Sequence, residues 1–196
     1  HAVPPTLVIT AVADVPDPDG CVTPVLSQPG NVLVLLGHTR SEFAGSHLDL
    51  VLGAPDEVGS VPAPDPGAAV RYRNFHQAVR AGLVRSCHDL SEGGLAVALA
   101  EVCIAGRLGV EIDRLPHDDL PTALFAESQS RLLVEIAPGD VDRFRDLMRE
   151  PVLVLGHVTD TGRLVLPGLD PIAVDDLADA FSHTVSPTDG HTGQAR

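Results

Sequence analysis

Residues 86–101 read SCHDLSEGGLAVALAE: a histidine, two carboxylates and a serine, then two glycines, then an alanine-rich run of helical character. The glycines decide how the stretch is read. An interior glycine costs a helix roughly 0.8 to 1 kcal/mol relative to alanine, and Gly93 and Gly94 stand where the helix would start. One reading is local: Asp89 caps the helix and Glu92, three residues on, completes a capping box. That leaves the glycines without a reason. A phosphate or a neighbouring backbone pressed against the helix start supplies one, because helix N-termini bind anions and glycine permits close approach. Capping and ligand binding are compatible, so both stay open.

Working outward, the helix is expected from about Gly93 to Ala105, with Leu95, Leu99 and Val102 on one face and Gly106 as its stop. Between Pro66 and Val84, Tyr72, Phe75, Val79 and Leu83 recur at spacings of 3, 4 and 4, the apolar stripe of a second helix fraying near Gly82. LVITAVADV at 7–15 reads as a strand, and VTPVL and NVLVLLG read as a hairpin about Pro29-Gly30. GSHLDLVLG predicts a short helix begun at Ser46, followed by a proline-rich loop over 54–67. GVEI, RLLVEI, PVLVLGHV and RLVLPG read as strands, DVDRFRDLM and VDDLADAF as helices, and the residues from His183 as a disordered tail. Helix and strand alternate without a strict βαβ repeat. The pattern predicts an α+β fold, a mixed sheet with helices packed on it.

The 196 residues, 44% of them hydrophobic, suffice for one domain with a sizeable core. With 3% aromatic residues and no tryptophan, that core rests on valine, leucine and alanine. Thirteen basic against 27 acidic residues, a net charge of −14, argue against a nucleic-acid partner, whose phosphates would be repelled. An acidic chain still handles phosphorylated small molecules if its carboxylates recruit magnesium. Cys21, Cys87 and Cys103 form no CxxC pair, which indicates neither a disulfide framework nor a zinc site and fits a reducing cytoplasm. No run of 18 apolar residues and no leader is seen, so neither a membrane span nor a signal peptide is expected. The chain starts at His1 inside an apolar run and reads as a piece of something longer.

HDLSEGGLAVALAE closely resembles the motif of the phosphoribosylformylglycinamidine synthases, ATP-dependent ligases of purine biosynthesis. Four further stretches agree in order: PPTLVI, LLGHTRSEFAGS at 35–46, LFAESQSRLLVEI at 124–136 and LGHVT at 155–159. A lone DxSxGG is shared by related ATP-using enzymes, whereas five ordered blocks over roughly residues 3 to 180 are specific. The resemblance implies the C-terminal domain of the second of two related halves, with the fold of the aminoimidazole ribonucleotide synthetase-like superfamily. Residues 1–15 would be the terminal strand of a preceding domain and 16–182 the domain itself, with 183–196 the tail.

The resemblance further implies that Asp89 ligates Mg2+ and that Ser91, with Gly93 and Gly94, meets ATP. Glu92 stands where the family commonly has aspartate. Glu127, Ser128 and Gln129 would contact substrate by analogy with the enzyme's other half. From spacing alone, ESQSR is a polar lead-in to a strand with Glu127, Gln129 and Arg131 on one face. His88 reads as a structural hydrogen-bonder, and no Ser-His-Asp arrangement can be assembled.

The implied reaction activates the amide oxygen of formylglycinamide ribonucleotide with the γ-phosphate of ATP, after which glutamine-derived ammonia displaces phosphate. Such chemistry needs positioning and charge neutralisation more than a covalent nucleophile. The implied partners are upstream synthetase domains, a glutaminase domain or subunit and the small-molecule substrate, and the isolated chain would be inactive. The rival readings are another ATP-using superfamily member and a non-catalytic pseudo-dimer module holding a structural nucleotide.

Overall fold

The computed structural model describes residues 8–15, 17–52 and 60–184. Its strands are β1 (Val32–Leu36), β2 (Val84–Asp89), β3 (Gly109–Ile112), β4 (Leu132–Ile136), β5 (Leu153–Thr159), β6 (Arg163–Val165) and β7 (Ile172–Ala173). They form one sheet in the order β2-β4-β1-β5-β3-β6-β7. Every pairing is antiparallel except β3 with β6, so the sheet is mixed, as the sequence predicts. The helices are α1 (His47–Leu52), α2 (Ala68–Arg80), α3 (Gly94–Gly106), α4 (Leu120–Phe125), α5 (Val141–Met148) and α6 (Val174–Thr184). Among the described residues no helix is long and apolar enough to cross a membrane.

Strand β1 explains the layering. Side chains alternate across a strand, and Leu33 and Leu35 join Leu95, Leu99 and Val102 of α3 and Leu124 of α4 in one core. Val34 and Leu36 face the other way, into a second core with Ala78 of α2 and Phe144 and Met148 of α5. A strand buried on both faces reads as an unbroken apolar run, VLVLL, rather than an alternating one.

The expected hairpin does not form. Residues 22–26 are irregular: Pro24 has no N–H to donate, and the segment touches β2 through one bond, Cys87 N–H to the Thr23 carbonyl at 3.0 Å. A fully buried carboxylate, Glu135 of β4, organises the turn that follows. It accepts from the Ser27 amide (2.8 Å), the Ser27 hydroxyl (2.8 Å), the Gln28 amide (3.2 Å) and Asn31 Nδ2 (2.8 Å). Multiple donors are what make a buried carboxylate tolerable.

Residues 8–15 likewise lie in no strand, and Val8, Ile9 and Val12 are 83%, 79% and 93% exposed. They pair with no strand among the described residues. Tyr72, expected on the buried stripe of α2, is 46% exposed, and Arg71 takes the inward position. Arg71 reaches Asp65 (2.7 Å), Glu150 (2.8 Å) and the Ser130 carbonyl (2.9 Å), and its hydrogen bond holds the Asp65 carboxyl below the ordinary range. Helix α3 runs one residue past the expected stop, closing on Arg107 in a left-handed conformation (φ 53°). Gly106 is needed for its size: a Cβ there would lie 2.8 Å from that of Leu26. Helix α6 continues through His183, and residues 185–196 of the expected tail lie outside the described residues.

Candidate functional site

The motif DLSEGG begins on the last residue of β2, an edge strand, and ends at the start of α3. The expected capping box is not formed. The N-cap is Gly93, with no side-chain cap, and Asp89 is still strand, its carboxylate 69% exposed and 3.3 Å from His88 Nδ1. Gly93 and Gly94 have φ of 78° and 65°, a region where a Cβ is strained. A Cβ on Gly94 would fall 2.6 Å from the Ala126 carbonyl oxygen and 2.8 Å from that of Leu124. The glycines therefore answer to the turn's left-handed backbone and, at Gly94, to a neighbouring backbone within the domain.

The carboxylate at the start of α3 comes from far along the chain. Glu127 Oε1 accepts the Gly93 N–H at 2.8 Å and the His47 N–H of α1 at 2.9 Å, while the Glu127 N–H donates to the Glu42 carbonyl at 3.3 Å. Ser128 is fully buried, and its hydroxyl accepts the Arg40 N–H (3.0 Å) and faces the Arg40 carbonyl (3.3 Å). Arg131, also buried, donates to the Ser128 carbonyl (2.9 Å), Thr39 Oγ1 (3.1 Å) and the Ala126 carbonyl. Burial pulls its pKa down to about 10, against the opposing pull of Glu42 and Glu127. Residues 127–131 thus form a loop rather than an extended lead-in: Arg131 points inward, Gln129 is exposed, and the three residues expected on one face do not share it.

His88 bridges two elements, its Nε2 lying 2.9 Å from Glu101 Oε2 of α3. With Pro24, Ile104, Ala105 and Phe181 this pair lines a cavity of about 260 Å³. Burial pushes the Cys87 and Cys103 thiols up to about 12, which leaves neither as thiolate at neutral pH.

Asp89, Ser91, Gly93 and Gly94 therefore share one turn, and Glu127 joins it through the Gly93 amide. Ser128 serves the adjoining loop instead. Glu42 and His47 are partners that the sequence reading missed, since nothing local in a chain announces a bond spanning 80 residues. Asp89 and Glu92 present exposed carboxylates, yet among the described residues no cluster of three or more histidine, cysteine, aspartate or glutamate side chains could hold a metal. A lone exposed carboxylate such as Asp89 could serve a cation only alongside oxygens from phosphate and water.

A mixed sheet whose edge strand ends in an Asp-x-Ser-x-Gly-Gly turn against a buried α-helix defines an α+β domain. Residues 28–168 match the family described as AIR synthase related protein, C-terminal domain, and the chain belongs to that family. It is 39% identical over 180 residues to the phosphoribosylformylglycinamidine synthase subunit PurL of Symbiobacterium thermophilum, covering 87% of this chain and 23% of that protein. The same subunit of Cutibacterium acnes is 31% identical over 185 residues, covering 92% and 24%. The chain thus spans about a quarter of the length of these relatives. Among solved structures, Thermotoga maritima PurL complexed with ATP superposes with a TM-score of 0.63 at 26% identity, over 82% of this chain and 28% of that one. PurLQS of the same organism gives 0.66 at 26% identity, over 82% and 28%. PurL complexed with FGAR gives 0.69 at 24% identity, over 82% and 30%, a likeness of fold.

Proposed function

We propose that this chain is the C-terminal domain of the second half of a formylglycinamide ribonucleotide amidotransferase. That ligase converts formylglycinamide ribonucleotide, glutamine-derived ammonia and ATP to formylglycinamidine ribonucleotide, ADP and phosphate. The observation that carries the reading is the Asp89–Gly94 turn: its Gly93 amide is bonded to Glu127 and its Gly94 packs closely on the backbone of residues 124–126, while Asp89 and Ser91 face solvent. A rigid turn carrying exposed oxygen ligands suits phosphate chemistry, where positioning and charge neutralisation dominate.

In this reading Asp89 would hold a Mg2+ ion, which when bound neutralises nucleotide phosphate charge, and Ser91 would hydrogen-bond the nucleotide. Gly93 and Gly94 give the turn its shape. Glu127 and Ser128 position the surrounding loops, leaving Gln129 as the exposed candidate for substrate contact. Residues 16–182 form the domain, and residues 1–15 pair with a preceding synthetase domain, which accounts for the exposed side chains of Val8, Ile9 and Val12. A glutaminase domain or subunit supplies ammonia in the cytoplasm, where three unpaired cysteines stay reduced.

Asp89→Asn in the full-length protein tests the assignment, because the amide keeps shape and loses charge. Titration with Mg-ATP should show binding weakened about tenfold or more, the loss of one charge-assisted contact, with the circular dichroism spectrum unchanged. Equal affinity in wild type and variant would remove Asp89 from the metal site.

A further inference from the structure

We propose that the cavity between β2, α3 and α6 is a binding site for a small organic cation, an ammonium or guanidinium group carried on a short apolar stem. Helix α3, GLAVALAEVCIAG, has one charged residue among its 13, Glu101, and that residue lies at this cavity. Its Oε2 is 2.9 Å from His88 Nε2, while Oε1 carries no hydrogen bond from the described residues. The other walls are apolar and come from three parts of the chain: Pro24 ahead of β1, Ile104 and Ala105 of α3, and Phe181 of α6, a ring left 55% exposed. His88 reaches Asp89 through its other ring nitrogen, so the cavity adjoins the Asp89–Gly94 turn without using its residues. Nothing in the site depends on nucleotide binding at that turn.

The walls select among ligands. An anion would meet Glu101 in a chain of net charge −14. A wholly apolar ligand would cover the half-buried Glu101 carboxylate and leave Oε1 with neither water nor a donor, a costly arrangement. A metal ion would find too few ligands, since among the described residues no group of three or more histidine, cysteine, aspartate or glutamate side chains could hold one. A guanidinium or ammonium instead donates to the open oxygen, while its stem packs on Pro24, Ile104 and Ala105. Phe181 adds an aromatic surface, which attracts cations. The volume of about 260 Å³ equals roughly eight or nine waters at their liquid volume, room for a cation the size of a lysine or arginine side chain. Two sources present that group: a basic side chain of another domain, or a free amine or guanidine.

The test titrates the 196-residue chain with n-butylguanidinium, with the neutral and nearly isosteric N-butylurea, and with anionic valerate, following the His88 and Phe181 ring signals by NMR. Butylguanidinium should saturate with a Kd in the millimolar range, about what a ligand of roughly eight heavy atoms supports. Butylurea should bind about tenfold more weakly, and valerate should give no saturable response. Glu101→Gln keeps the shape and loses the charge, and should weaken butylguanidinium about tenfold. Phe181→Ala, at an exposed position, should weaken it about threefold and serves if the Glu101 variant does not fold. Butylurea binding as tightly as butylguanidinium, unchanged affinity in either folded variant, or no saturable response at His88 overturns the proposal. Repeating the titration on the full-length protein separates the sources. Binding equal to that of the chain assigns the cavity to a free cation, and exclusion of the probe assigns it to a basic side chain of another domain.

Discussion

Gly94 shows how a single absent Cβ can be set by backbone rather than by ligand. Its φ of 65° and the carbonyls of Leu124 and Ala126 leave no room for a methyl group. Gly94→Ala should therefore destabilise the chain by more than about 1 kcal/mol, the reverse of the gain at a helical position. Urea midpoints of wild type and variant check this; a raised midpoint would mean that the turn relaxes to right-handed geometry. The sequence made the glycines conspicuous but could not separate a phosphate from a peptide as the approaching group, since both demand the same missing atom.

At the scale of elements, Arg71 of α2 ties Asp65 ahead of the helix to Glu150 beyond α5 and to the loop at Ser130. Its guanidinium is 1% exposed, so Arg71→Met should cost about 3 kcal/mol by stranding two carboxylates. The pH sign follows from Asp65, whose pKa is lowered on folding. Its contribution is present above the ordinary carboxylate range near pH 4 and is lost as pH falls through the lower folded value. Urea midpoints of wild type and Asp65→Asn should differ at pH 7 and converge below about pH 4; a constant gap would show that the carboxylate's charge is irrelevant.

Periodicity made α3, α5, β4 and β5 legible, because each carries its own apolar pattern. It failed where tertiary contacts overrode local signals: Arg71 displaced Tyr72 from the core, and Glu135 built the 27–31 turn in place of a hairpin. Helix α4 was missed because it is six residues long, announced only by its Asp119 cap and Pro121. At the site, the order of motif residues along the chain was readable, while the Glu127 bonds to Gly93 and His47 needed the fold to bring them together.

At the scale of the whole molecule, apolar side chains left outside are as informative as those inside. Val8, Ile9 and Val12 project from a segment that joins no strand, and Leu50, Val51 and Leu52 of α1 are 71%, 82% and 63% exposed. Changing Val8, Ile9 and Val12 to serine together should leave the unfolding free energy of this chain within about 0.5 kcal/mol of wild type. A larger drop in urea would show that the segment packs within the chain rather than awaiting another domain.

Strand β1 carries a different consequence, one of time. Val32 pairs with Ile136 of β4 on one side and with His157 of β5 on the other. Neither partner exists on a growing chain until most of the domain has left the ribosome, and loop closure must be met before those pairings return any free energy. Until then VLVLL, apolar on both faces, waits as an aggregation-prone stretch of the nascent polypeptide.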